Sequence, residues 1–347
     1  MLDNNDRLLS ALQNREGMLG PTFVFGCPRS GTTLLGRLVG THPDYAYLEE
    51  LRFVEPRERI RSLASNLAKG FIGKMSGAPY LGSDAIYVPG GSERRQYQVA
   101  NSLCRAVSRS VGIMGPRQGL RRMVNHMLAH ALLKTVPNLE PSEPLAQVYS
   151  LASHIDSALV SRYVDKYLTI MGSGERIRIL FKDLAILSGK PYVVEKTPGE
   201  ELSVDKLLDI FPHAKMLHIY RDGRDVVASM LFSDNYSGRK KRKPWRQACQ
   251  TWLCSSVSVR RLPYVVPPDR YLQIRYEEFV SDLSDSSERI FKFLGVPLSH
   301  ATQDKISSLR PQEKASHWEM DMTDRLRRKV SRCLNASLKE LGYDERK

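Results

Sequence analysis

The chain has 347 residues, with 52 Lys and Arg against 38 Asp and Glu, a formal charge of +14, and 41% hydrophobic residues. That content buries a full core, in one large domain or in a domain carrying a sizeable insertion, and the basic balance favours anionic ligands without naming one. No apolar run reaches the roughly 18 residues of a membrane span, and the start Met1 to Arg7 is too acidic and polar for a signal peptide. Five cysteines, an odd number without secretory context, point to reduced thiols, so a cytoplasmic protein is expected.

The first predicted strand, Thr22–Phe25, runs into Gly26-Cys27-Pro28-Arg29-Ser30-Gly31-Thr32-Thr33-Leu34-Leu35, a glycine-bracketed turn that opens a helix. Such a turn aims backbone N–H groups and the positive helix end at one point, where an anion supplies the missing acceptors. Gly26 and Gly31 keep the spacing of the nucleotide-triphosphate loop G-x-x-x-x-G-K-[ST]. Thr32, however, stands where that loop has Lys, and the cation has moved to Arg29. Hydroxyls and a forked guanidinium suit a phosphosulfate or another phosphate ester better than metal-bridged phosphates.

Next come Glu49 and Glu50, which end a short apolar segment and by themselves read as ordinary surface carboxylates. Between about residues 53 and 188 the pattern turns to long helical stretches, such as Leu120–Lys134 and Gln147–Ile170, predicting a helical insertion that covers the site. His126 and His130 share a helix face there but lack the further ligands of a zinc motif. Strands are predicted again at Pro191–Val194, followed by Lys196 in a loop, and at Lys215–Tyr220.

The latter run ends in Arg221-Asp222-Gly223-Arg224-Asp225 and a helix start. Arg221 and Ser229, eight residues apart, return to one side and suit a second phosphate. A salt-bridged cap is the plainer reading of Arg and Asp at such a junction. Beyond it the basic run Gly238 to Pro244 reads as a solvated loop, as a steering patch for an acidic acceptor through Arg239 to Lys243, or as a nuclear signal or nucleic-acid site. Cys249 and Cys254 have no neighbouring His or Cys to make a metal site, and a last strand is predicted at Tyr271–Ile274. Strands alternating with helices predict an α/β fold, a P-loop-type, mostly parallel sheet flanked by helices, with ligands at the carboxyl ends of its strands. One such domain over residues 1–347, with the insertion at 53–188 inside it, is expected.

Together the two anion motifs resemble the sulfotransferase family, whose donor is 3′-phosphoadenosine-5′-phosphosulfate (PAPS). The likeness extends to Arg275-Tyr276-Glu277-Glu278-Phe279-Val280, to Phe293-Leu294-Gly295-Val296-Pro297 and to Leu341-Gly342-Tyr343, and covers residues 20 to 52 and 190 to 345. It implies that Arg29, Ser30, Gly31, Thr32, Thr33 and Leu34 hold the 5′ end of the donor. Arg221 and Ser229 then hold its 3′-phosphate, with further nucleotide contacts from Tyr276, Lys314 and Ser316.

Within the family the pattern is closest to tyrosylprotein sulfotransferases and their bacterial relatives. Glu49-Glu50-Leu51-Arg52 resembles their Glu-Glu-x-Arg, which puts the base on Glu50 with Glu49 as the alternative. Glu195-Lys196-Thr197-Pro198 resembles their Asn-Lys-Asp-Pro, which puts the catalytic lysine on Lys196. His42, before Pro43, is expected to be a turn residue.

The chemistry asks for the same residue types. A carboxylate removes the acceptor's proton, and cations placed in advance, Lys196 and Arg29, offset charge on the departing oxygen. The expected reaction is in-line transfer of sulfonate from PAPS to a hydroxyl or phenol acceptor, itself acidic if the basic loop steers it, without a metal. Neither nucleic acid nor a membrane is an expected partner, and a homodimer is left open. The rival readings are a P-loop kinase or NTPase, opposed by Thr32, and a non-enzymatic polyanion binder, which explains the charge but not the ordered Gly-Thr-Thr turn.

Overall fold

The computed structural model describes residues 20–49, 54–56, 111–113, 173–232, 245–309 and 318–343. Their strands are β1 (Thr22–Phe25), β2 (Tyr45–Glu49), β3 (Val54–Pro56), β4 (Val111–Ile113), β5 (Tyr192–Lys196), β6 (Lys215–Tyr220) and β7 (Tyr271–Arg275). Five of them form a wholly parallel sheet in the order β2-β5-β1-β6-β7, while β3 and β4 make a separate antiparallel pair. The helices are α1 (Thr32–Gly40), α2 (Ser173–Ser188), α3 (Val204–Ile210), α4 (Gly223–Phe232), α5 (Trp245–Arg261), α6 (Tyr276–Ser281), α7 (Leu283–Leu294), α8 (His300–Ser308), α9 (Trp318–Asp321) and α10 (Asp324–Glu340).

A parallel strand is covered on both faces, so its residues are apolar on both. The central strand shows the consequence. Phe23 and Phe25 pack with Leu180, Phe181 and Leu207 on one side, and Val24 packs with Leu35, Leu38 and Phe291 on the other. A third cluster joins Val226, Val227 and Met230 of α4 to Trp252 of α5 and to Val330 and Leu334 of α10. The turn after β1 leads into α1 on the Val24 face. The turn after β5 leads through a 3-10 turn, Glu200–Ser203, to α3 on the Phe23 face. Adjacent strands whose connections part to opposite faces leave a crevice at their carboxyl ends, and the glycine turn lies in it.

β1 and β6 have the expected bounds, whereas β5 and β7 run on to Lys196 and Arg275. β2 was not foreseen. Helix α2 falls in the stretch expected to be the insertion, and its Ile177, Leu180, Phe181 and Leu184 pack against the sheet. The expected helical stretches Leu120–Lys134 and Gln147–Ile170 lie outside the described residues. Among the described residues no helix is long and apolar enough to cross a membrane, and Cys27, Cys249, Cys254 and Cys333 are in no disulfide.

Candidate active site

The glycine turn is shaped by two close approaches. Gly26 has φ +152°, and a Cβ there would lie 2.1 Å from the carbonyl oxygen of Ile219; Gly31 has φ +94°, and its Cβ would lie 2.5 Å from the Tyr276 ring. Arg29, at φ 76°, is the one non-glycine among the described residues in the left-handed region. Such a conformation costs energy and clusters at ligand sites. The N–H of Ser30 donates to the carbonyl of Cys27 at 3.0 Å, closing the turn. Helix α1 then starts with neither a side-chain cap nor an acidic residue in its first turn, so its own first turn supplies no counter-charge to its positive end. Ser30 is fully buried and its Oγ has no protein partner. Thr32 is buried and Thr33 half-buried in the first helical turn, and Leu34 packs its side chain into the core.

The second motif sits against the first. Arg29 Nε donates to Ser229 Oγ at 2.8 Å, across 200 residues of sequence. The Arg221 guanidinium stacks on the Tyr276 ring at 4.4 Å, and its Nη2 is 3.7 Å from the Asp225 carboxylate. Its Nε is buried without a hydrogen-bond partner. Burial pushes the Asp225 carboxyl up from its usual value, against the pull of the Trp318 N–H and Arg221. The plainer reading of this junction, a salt-bridged cap, holds most tightly for Arg224, which pairs with Asp222 at 2.6 Å and stacks on Trp318 at 4.7 Å. Arg221 has the longer contact to Asp225 and keeps a buried Nε donor to spare.

Several supports escaped the sequence reading because they act across tertiary distance. Trp252 Nε1 donates to the carbonyl of Arg221 at 3.0 Å. The N–H of Asp222 donates to Glu277 Oε1 at 3.0 Å, and the Tyr343 hydroxyl donates to Glu277 Oε2 at 2.8 Å. Beneath the glycine turn lies Glu201, 1% exposed, whose Oε1 accepts from Ser255 Oγ at 2.6 Å. Burial pushes its carboxyl up; Ser255 and the N–H groups of Gly199 and Gly26 pull the other way. The family-like segments around Tyr276 and Tyr343 were the available signal for Glu277, and nothing in the sequence singled out Glu201.

Lys196 closes β5, fully buried, on the α1 face, where a Cβ at Gly36 would lie 3.1 Å from its own Cβ. The turn that follows is stitched to the first motif: Thr197 N–H donates to Val24 O at 3.2 Å and Gly199 N–H to Gly26 O at 3.0 Å. Glu49, the last residue of β2, pairs in register with Lys196. Glu50, Lys314, Ser316 and the basic run Arg239 to Lys243 lie outside the described residues. Trp318, two residues past Ser316, is held by its N–H to Asp225 Oδ1 at 3.1 Å. His42 is a buried turn residue, with Nε2 on the Pro297 carbonyl at 3.0 Å and Nδ1 accepting from the Asp44 N–H at 3.2 Å. Among the described residues no group of His, Cys, Asp and Glu could hold a metal ion.

The structure therefore brings Arg29, Ser30, Gly31, Thr32, Arg221, Ser229 and Tyr276 together, with Lys196 at the adjoining strand end. Two buried donors without partners, Ser30 Oγ and Arg221 Nε, fit a ligand with anionic groups at both loops. The profile described as "Sulfotransferase family" matches residues 21–81 and 128–300. Among curated proteins, the chain is 24% identical over 301 residues to the protein-tyrosine sulfotransferase of Drosophila melanogaster, covering 87% of this chain and 42% of that one. It is 27% identical over 111 residues to the omega-hydroxy-beta-dihydromenaquinone-9 sulfotransferase Stf3 of Mycobacterium bovis, covering 30% and 29%. The chain thus spans less than half the length of these relatives. A sulfotransferase domain from the curacin biosynthetic pathway superimposes with a TM-score of 0.49 at 15% identity, covering 94% of this chain and 98% of that one.

Proposed function

Because the chain belongs to the sulfotransferase family, we propose that it transfers the sulfonate of PAPS to the oxygen of a hydroxyl or phenol acceptor. The observation that carries this reading is the direct bond from Arg29 to Ser229, which joins two loops that each hold a buried donor without a partner. A donor with phosphate at both its 5′ and 3′ ends answers both. The first loop, through its backbone N–H groups and the hydroxyls of Ser30, Thr32 and Thr33, would hold the 5′ end, while Arg221 and Ser229 would hold the 3′-phosphate.

PAPS brings the activated sulfonate and its leaving phosphate; the chain's residues do the rest. Glu50 removes the acceptor's proton as its oxygen attacks sulfur. Lys196 and Arg29 offset the charge that grows on the departing 5′-phosphate, and both are held in advance, Lys196 by burial and Arg29 by Ser229. Thr32, in the place of the usual loop lysine, argues against transfer of an outer phosphate. The names of the relatives point to a tyrosine phenol in one case and a menaquinone ω-hydroxyl in the other. Both are oxygen nucleophiles, which is the class proposed here. Incubation with PAPS labelled in its sulfonate, against a panel of phenols, alcohols and tyrosine peptides, should yield a labelled product that Lys196→Ala reduces strongly. No labelled product from PAPS with any acceptor, in a chain that turns over ATP, would sink the proposal.

A further inference from the structure

The C-terminal helix α10 packs on α5, behind α4, and each of the two packed helices brings a cysteine to the contact. Cys249 of α5 is fully buried; Cys333 of α10 is partly exposed and lies against the same cluster, among Val330 and Leu334 of its own helix. The two cysteines meet where α5 and α10 pack, in one cluster, although 84 residues separate them in sequence. We infer that Cys249 and Cys333 are a redox pair, which a peroxide converts to a disulfide that fastens α10 to α5.

The two members have different roles because their surroundings differ. The neighbouring Cys249 thiol and, one turn away from it on α5, Arg246 lower the Cys333 pKa, although burial opposes this. The neighbouring Cys333, followed by burial, raises the pKa of Cys249. A thiolate that solvent reaches is the one that reacts with an oxidant. Cys333 sulfur attacks the peroxide, the O–O bond breaks, and Cys333 becomes a sulfenic acid as water leaves. Cys249 sulfur then attacks Cys333 sulfur, the S–O bond breaks, and the hydroxyl departs as water with the Cys249 proton. Two thiols lose two electrons and two protons, and hydrogen peroxide is reduced to two waters. The link would close a long loop, from α5 through β7 to α10, and so restrain the unfolded chain.

The test uses the reduced full chain, treated with hydrogen peroxide at neutral pH and then alkylated. Peptide mapping of the wild type should show a Cys249–Cys333 link, and the chain should be lighter by two hydrogens. The oxidised protein should melt higher than the reduced one by roughly 5 °C. Cys249→Ser should leave Cys333 as a sulfenic acid that dimedone traps, and Cys333→Ser should form no link at Cys249. The wild-type map stands even if Cys249→Ser fails to fold. Cys333 oxidised to sulfinic acid in the wild type without a link, or a link from either residue to a different cysteine, would overturn the inference. A linked chain melting no higher than the reduced one would overturn the fastening of α10. None of these outcomes depends on donor binding.

Discussion

Replacing Tyr343 by Phe removes one hydroxyl from the ring that backs the second anion loop and leaves the Arg275 stack, at 4.2 Å, in place. The lost bond runs from the Tyr343 hydroxyl to Glu277 Oε2 at 2.8 Å, while Glu277 Oε1 holds the N–H of Asp222, next to Arg221, at 3.0 Å. A hydrogen bond to a charged group is worth about 1.5–3 kcal/mol. The Glu277 side chain is 34% exposed and Arg275 Nε lies 3.6 Å away, so water and Arg275 recover part of the loss. About 1 kcal/mol should remain, a fall of about 2–4 °C in Tm. Burial and then Glu277 push the Tyr343 phenol well above its usual 10.0, so folding holds its proton. That contribution is present below about pH 10 and is lost as pH rises toward the folded value, so the deficit of the Phe variant should shrink in alkali.

At neutral pH the freed Glu277 should loosen Arg221, and the affinity for adenosine 3′,5′-bisphosphate should fall about three- to fivefold, about 0.7–1 kcal/mol. Affinity for the 5′-monophosphate should hold. Thermal melts with calorimetric titrations read both effects. Equal weakening toward the two nucleotides, or unchanged binding at a lowered Tm, would refute the coupling from Tyr343 to Arg221.

Three further expectations follow from the site. Glu50→Gln should lower turnover by about 10²–10⁴ with donor affinity intact, the deficit being smallest for acidic phenols; near-native turnover of an alcohol would remove Glu50 as the base. Glu201→Gln keeps an acceptor for Ser255 and removes a carboxyl whose pKa burial raises above 4.5. The proton held by Glu201 contributes stability below pH 4.5 that is lost as pH rises through its folded value, so the Gln variant should gain on the wild type from acid toward neutrality in denaturant titrations. A pH-independent difference between the two would contradict the burial of an ionising group. Gly31→Ala drives a Cβ to 2.5 Å from the Tyr276 ring at φ +94° and should cost about 1–3 kcal/mol together with donor binding. Native affinity in that variant would show that the turn can move.

The sheet's central strands were legible because both faces of a parallel strand are largely apolar, and Thr22–Phe25 and Lys215–Tyr220 stand out as strand-like runs before polar turns. Tyr45–Glu49 did not. It follows α1 after a turn of four residues and is as apolar as the helix, so its period is masked. The glycine turn was legible because the spacing of Gly26 and Gly31 is local, and each answers a positive φ. Which arginine stays available was a tertiary question, settled by Asp222 taking Arg224 and by Tyr276 stacking on Arg221. Glu201 and Glu277 lie beyond local pattern altogether, since their partners Ser255 and Asp222 are 54 and 55 residues away.

The most direct measurement is a calorimetric comparison of adenosine 3′,5′-bisphosphate with adenosine 5′-monophosphate, on the wild type and on Arg221→Ala. Arg221, with its buried Nε and its place between Tyr276 and Asp225, should make the bisphosphate bind at least about thirtyfold more tightly, about 2 kcal/mol, and Arg221→Ala should erase that preference without lowering donor-free Tm by more than a few degrees. Equal affinity of the wild type for the two nucleotides would contradict the two-loop donor site.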